Sequence, residues 1–110
     1  MSDRPSGSAD VPVDIESVEA FDRLRTSAET VLVEFYADWC GPCRLMADTV
    51  ETLARQTDTP VVTVDVETLP EIAVRYDVGG IPAFVRFEDG SPADRFVGMH
   101  DESELRRLIE

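Results

Sequence analysis

The chain contains no lysine: its ten basic side chains are all arginine, against twenty-three acids, and the formal net charge is -13. A chain so poor in cations repels phosphate backbones and anionic lipid, because binding either depends on clustered basic side chains that release counterions. Nucleic acid and membrane surfaces are therefore not expected partners. Histidine is nearly lacking too, with His100 alone, and cysteine is limited to two residues. A closed zinc site normally takes four ligands of these kinds, so three side chains exclude one built within the chain, and no metal is expected. No apolar run approaches the length that a bilayer crossing needs. No glycine-rich loop follows a strand to cradle a dinucleotide, so no cofactor is expected either.

What remains is an acidic, single-domain chain. Residues 1–10 (MSDRPSGSAD) hold Ser, Gly, Pro and charge without an apolar run, and read as a disordered N-terminal tail, neither signal peptide nor membrane span. Without an export signal the expected compartment is the cytoplasm, where thiols stay mostly reduced. Residues 11–110 suit one domain with one core, expected to act as a monomer. The acids are spread along the chain, and a surface that repels itself in this way is tolerable where salt screens it. Such a composition resembles proteins of organisms with a very salty cytoplasm; a merely soluble acidic protein is the plainer alternative.

Periodicity supplies the elements. Val11–Ile15 alternates and carries Pro12, which suits an edge strand. Ser17 is placed to cap a helix with Val18, Phe21, Leu24 and Ala28 on its apolar face. The nearly unbroken run Val31–Tyr36 predicts a central strand buried on both sides. One helix is expected from Cys40 to about Gln56, with Pro42 in its first turn, where a missing N–H costs nothing. Val61–Val66 reads as a strand, a short helix opens near Pro70, and Ala83–Phe87 and Arg95–Val97 form a hairpin around Asp89-Gly90. Asp101 and Glu104 have capping-box spacing before a last helix carrying Leu105, Leu108 and Ile109. The order β-α-β-α-β-α-β-β-α predicts an α/β domain: a mixed sheet of about five strands, parallel at first and antiparallel at its end, flanked by about four helices.

The chemistry lies at Cys40-Gly41-Pro42-Cys43, where a strand hands over to a helix. At a helix N-terminus free N–H groups and the dipole favour the thiolate, so Cys40 is the expected nucleophile toward a substrate disulfide. Cys43, one turn inward and expected to be more enclosed than Cys40, is placed to attack the mixed disulfide and release reduced substrate. A purely structural bridge would close too short a loop to contribute more than about 2 kcal/mol. A pair of inert buried thiols is the other alternative.

The segment Tyr36-Ala37-Asp38-Trp39-Cys40-Gly41-Pro42-Cys43-Arg44, with Gly80-Ile81-Pro82 and Gly98, resembles the thioredoxin family from about Val11 to Ile109. The resemblance implies the thioredoxin fold, a redox-active Cys40–Cys43 couple that reduces disulfide-containing proteins, and a separate thioredoxin reductase as electron donor. It implies that Pro82 follows a cis peptide bond and lies against the cysteines. It also implies a substrate surface of Trp39, Gly41, Pro42, Ile81, Pro82, Val97 and Gly98. Glu34 is an acid within the most apolar strand, and from pattern alone a solvated edge position is one explanation of it. By resemblance it is a buried carboxyl exchanging a proton with Cys43, with a pKa raised by burial.

Several positions depart from the family pattern. Ala83 replaces a usual Thr, Thr63 stands where a Lys often neighbours the buried acid, and Asp48 replaces a helix-kinking Pro, so a straighter second helix is expected. His100 reads as a solvated residue. Gly-Pro between the cysteines favours a general reductant, whereas the Val33–Ala37 context of Glu34 resembles protein disulfide isomerases. Isomerase chemistry, or a non-redox interaction module on the same fold, are the alternatives.

Overall fold

The burial pattern of the chain explains its architecture once the strands are aligned. The computed structural model describes residues 11–110, and the tail expected at 1–10 lies outside the described residues. Along the chain the elements are β1 (Val13–Asp14), α1 (Val18–Leu24), β2 (Thr30–Tyr36), α2 (Gly41–Leu45), α3 (Ala47–Gln56) and β3 (Val61–Asp65). There follow α4 (Pro70–Arg75), β4 (Ala83–Glu88), β5 (Ser91–Val97) and α5 (Glu102–Ile109). The sheet order is β1-β3-β2-β4-β5. The β1–β3 and β3–β2 pairs are parallel, and β2–β4 and β4–β5 are antiparallel.

β2 is central, and residues Val31–Phe35 are all buried. Its odd positions Val31, Val33 and Phe35 pack with Phe21 and Leu24 of α1 and Ile72 of α4. Leu32 packs on the opposite face with Val50 and Leu53 of α3 and Leu105 and Leu108 of α5. That two-sided burial is why the strand reads as a continuous apolar run. Phe21, Tyr76 and Phe87 close the first layer with ring centroids 5.1–5.8 Å apart. Such tilted and edge-to-face pairs satisfy the ring quadrupoles as well as burying area.

Capping is as the sequence predicts at both ends. Ser17 Oγ accepts the Ala20 N–H at 3.0 Å, and Asp101 and Glu104 exchange both bonds of a capping box. The β4–β5 hairpin turns through Asp89 and Gly90, whose φ values of 51° and 85° give the two-residue turn that follows strand twist.

Three expectations are corrected. α1 ends at Leu24, so Ala28, expected on its apolar face, lies beyond the helix and packs half-buried against the core. β5 begins at Ser91, not Arg95: Ser91–Arg95 are exposed on a sheet edge, so no buried alternation marks them. The single helix expected from Cys40 to Gln56 is divided at Met46, although Asp48 is not a proline. Met46 has φ -90° and ψ -3°, and its N–H is shared between the Pro42 and Cys43 carbonyls at 3.1 and 3.2 Å. The side chain of Met46 is anchored in the core beside Val50 and Leu53, so packing, rather than a missing donor, sets the break.

Candidate active site

β2 runs out at Tyr36, and the following turn delivers Cys40 to the N-cap of α2. There Cys40 and Cys43 form a disulfide, with Cα atoms 5.2 Å apart. The backbone N–H of Cys43 donates to Cys40 Sγ at 3.2 Å. After reduction the same donor and the free N–H groups of the first turn stabilise a thiolate on Cys40. The turn itself is braced by Arg44, whose Nη1 donates to the Asp38 carbonyl at 2.8 Å.

The expected contrast in exposure is absent from the disulfide form: Cys40 is 4% and Cys43 5% exposed. What distinguishes the two sulfurs is what lies behind each. A cavity of about 350 Å³ reaches Cys43 but not Cys40, and Glu34, Tyr36 and Thr63 line its sheet side. Asp38, Arg44 and Glu51 bring charge to its other walls.

Glu34 is 5% exposed, which rules out the solvated-edge reading of its sequence position. Burial pushes its carboxyl up to about 7. No described side chain donates a hydrogen bond to it. Thr63 is its register neighbour on β3, where the family often has Lys, and the hydroxyl of Thr63 points its proton elsewhere: Oγ1 donates to Asp14 Oδ1 at 2.8 Å. Tyr36 OH donates to the same oxygen at 2.9 Å. Burial, with that bond to Asp14 second, raises the Tyr36 phenol above its ordinary value.

On the other side of the disulfide, Ile81 and Val66 pack against the cluster of Ala37, Cys40 and Cys43. The Ile81–Pro82 bond is cis, as expected, and the Gly98 N–H donates to the Pro82 carbonyl at 2.8 Å. That bond draws the end of β5 to the loop, and a Cβ on Gly80 would stand 3.2 Å from Val97 Cγ1. Gly98 has φ +95°, a conformation that suits glycine. Around this cluster Trp39 is 63% and Val97 55% exposed, an apolar surface beside the sulfurs. Pro42 is exposed and Gly41 is partly so, with open space where a side chain would begin.

Sequence reading missed three supports of this arrangement. Arg95 of β5 donates to the Tyr76 and Asp77 carbonyls at 2.8 and 3.3 Å and fixes the segment that leads to Ile81. Met99, 54% exposed, extends the apolar surface past Gly98. Asp14 joins Tyr36 and Thr63, a link that needs strand register to be seen. His100, expected to be solvated, is half-buried with its ring stacked on Phe96 at 4.5 Å, and the cysteine cluster does not include it. Among the described residues no group of three or more His, Cys, Asp and Glu is placed to hold a metal.

The thioredoxin family model matches residues 12–110. A thioredoxin of Mycobacterium tuberculosis is 43% identical over 86 residues, which covers 76% of this chain and 74% of that one. The bifunctional thioredoxin reductase/thioredoxin of Mycobacterium leprae is 35% identical over 101 residues, 90% of this chain and 22% of that protein. Among solved structures, a point-mutant thioredoxin from Halobacterium salinarum superposes with a TM-score of 0.88 at 40% identity, covering 96% of this chain and 93% of that one.

Proposed function

The chain belongs to the thioredoxin family and is a thiol–disulfide oxidoreductase that reduces protein disulfides, and from that premise we propose the part each residue takes. Cys40 thiolate attacks one sulfur of a substrate disulfide, forming a mixed disulfide and expelling the other substrate sulfur as a thiolate. Cys43 then gives its proton to the Glu34 carboxylate and attacks Cys40 Sγ. The second substrate sulfur leaves, and two electrons have passed from the dithiol to the substrate. Glu34 suits this exchange because its carboxyl titrates near neutrality and so both accepts and returns a proton.

The observation that carries this assignment is the unequal setting of the two sulfurs. Cys40 caps α2 beside the apolar surface, and Cys43 faces the cavity that holds Glu34. Trp39, Gly41, Pro42, Ile81, Val97 and Gly98, with the buried Pro82 beside Ile81, form the substrate face. It receives an extended segment through shape and the Ile81 backbone rather than through charge, which accounts for broad specificity among proteins. A separate reductase restores the dithiol, a role supported by the relative in which a thioredoxin reductase and a thioredoxin share one chain. A reducing compartment such as the cytoplasm suits electron flow in this direction.

The test is the reduction potential of the Cys40–Cys43 couple, measured by equilibration in dithiol buffers at high salt with counting of free thiols. A value near about -270 mV is expected. A value near about -180 mV would assign isomerase or oxidant chemistry instead, and no reversible two-thiol couple would leave a binding module.

A further inference from the structure

Asp14, Thr63 and Glu34 stand in one row across three adjacent strands: Asp14 pairs in register with Thr63, and Thr63 with Glu34. Parallel register puts such partners on the same face of the sheet. Of the three, only Glu34 lacks a hydrogen-bond partner among the described residues. Thr63 has one hydroxyl proton, and it is committed to Asp14 Oδ1. Tyr36, two residues beyond Glu34 on the same face of β2, commits its proton to the same oxygen. The hydroxyls of its register neighbour on β3 and of the next residue on its own face of β2 are thus both committed to a single carboxylate on the edge strand.

We propose that Asp14 is a positioning residue for the proton exchange at Cys43: by holding the protons of Thr63 and Tyr36 it denies Glu34 a donor and keeps its carboxyl free to exchange with the sulfur. The inference rests on the proposed exchange between Glu34 and Cys43. Its logic is that of hydrogen-bonded carboxylates in general. A hydroxyl that donates to a carboxylate favours the ionised form, and a carboxylate so favoured is a weaker base toward the Cys43 thiol. The other groups facing Glu34 do not supply such a donor. Arg44 of α2 makes its side-chain hydrogen bond to the Asp38 carbonyl and none to Glu34, Glu51 of α3 and Asp38 of the turn before α2 are acids, and β4 presents Phe84 opposite Glu34. Asp14 acts through Thr63 and Tyr36 and touches no reacting atom.

The experiment follows the Glu34 carboxyl by carbon NMR as pH is varied, in the oxidised full chain, together with the pH profile of disulfide reduction. In Asp14→Ala the freed Thr63 hydroxyl turns to Glu34. The carboxyl midpoint is expected to fall by about one pH unit, the size of one hydroxyl hydrogen bond to a carboxylate. The activity profile should move the same way. Adding both Thr63→Val and Tyr36→Phe to Asp14→Ala should restore the midpoint, and Asp14→Asn, which keeps an acceptor oxygen but not the charge, should leave it at the wild-type position. If Asp14→Ala loosens the β1 edge, Asp14→Val keeps a strand-forming residue there and is read identically.

An unmoved midpoint in Asp14→Ala overturns the proposal. So does an equal fall in Asp14→Asn or in the triple variant, since either makes the effect one of charge alone. An unchanged activity profile in Glu34→Gln overturns the proton exchange itself. A changed profile in Glu34→Gln beside an unmoved midpoint in Asp14→Ala overturns only the part given to Asp14.

Discussion

Glu34 carries its carboxyl under the disulfide at a cost in stability that depends on pH. Its folded value of about 7 lies above the ordinary 4.5, so between these limits the folded state holds more protons than the unfolded state. Stability from this group is therefore present below about pH 4.5 and lost as pH rises toward 7. The loss is on the order of 3 kcal/mol for a group so deeply buried. Glu34→Gln removes that dependence. Urea unfolding of the oxidised protein at fixed high salt should show the variant gaining on the wild type by that order between pH 4 and pH 8. Parallel curves would mean that Glu34 does not titrate where its burial puts it. Nothing in the local sequence disclosed whether Glu34 was buried or solvated, because an acid in an apolar strand fits both. Only the row of strands, with α3 laid over it, decides.

At the scale of elements, α2 and α3 show how packing overrides a missing signal. A proline at position 48 is the family's usual mark of a break, yet the chain breaks at Met46 with Asp48 in its place. Asp48 falls in the first turn of α3, where proline is tolerated. Asp48→Pro should therefore change stability by less than about 1 kcal/mol, whereas Thr52→Pro in the middle of α3 should cost about 3 kcal/mol or more. Equal losses in chemical denaturation would show that the break at Met46 depends on Asp48. Elements with local signals were legible in the sequence: the β2 run, the Ser17 cap, the Asp89-Gly90 turn and the Asp101–Glu104 box. Those set by partners were not. The break at Met46 depends on a core position, and the first residues of β5 lie exposed on an edge, where polar side chains hide a strand. The same holds within the active site, since Cys40 and Cys43 stand in one motif but the link from Asp14 to Tyr36 and Thr63 joins β1, β2 and β3.

For the whole molecule, charge is the dominant property. Thirteen net negative charges on 110 residues repel one another across the surface. At 1 M salt the screening length falls to about 3 Å, which leaves only contact pairs such as Asp22 with Arg25 and Arg75 interacting strongly. The resemblance to a Halobacterium thioredoxin accords with life in strong salt. Melting temperature should rise from low to multimolar KCl, each kcal/mol of relieved repulsion appearing as roughly 4–8 °C. Equal melting temperatures in the two solutions would reject adaptation to salt as the reason for the composition.

Screening has a further effect, since it also removes the repulsion that keeps copies of an acidic protein apart, and the sheet margins then matter. On one side β5 carries Pro92, which has no N–H to offer, then exposed Asp94 and Arg95, and its pairing with β4 slips between Arg86 and Phe87. On the other side β1 is only two residues long. Neither margin presents a long flat row of free donors and acceptors, so strong salt uncovers no template for growing one sheet onto another. Extended segments of foreign chains are turned away from the margins for the same reason, so pairing with them falls to the substrate loop proposed above, at Ile81 and Pro82.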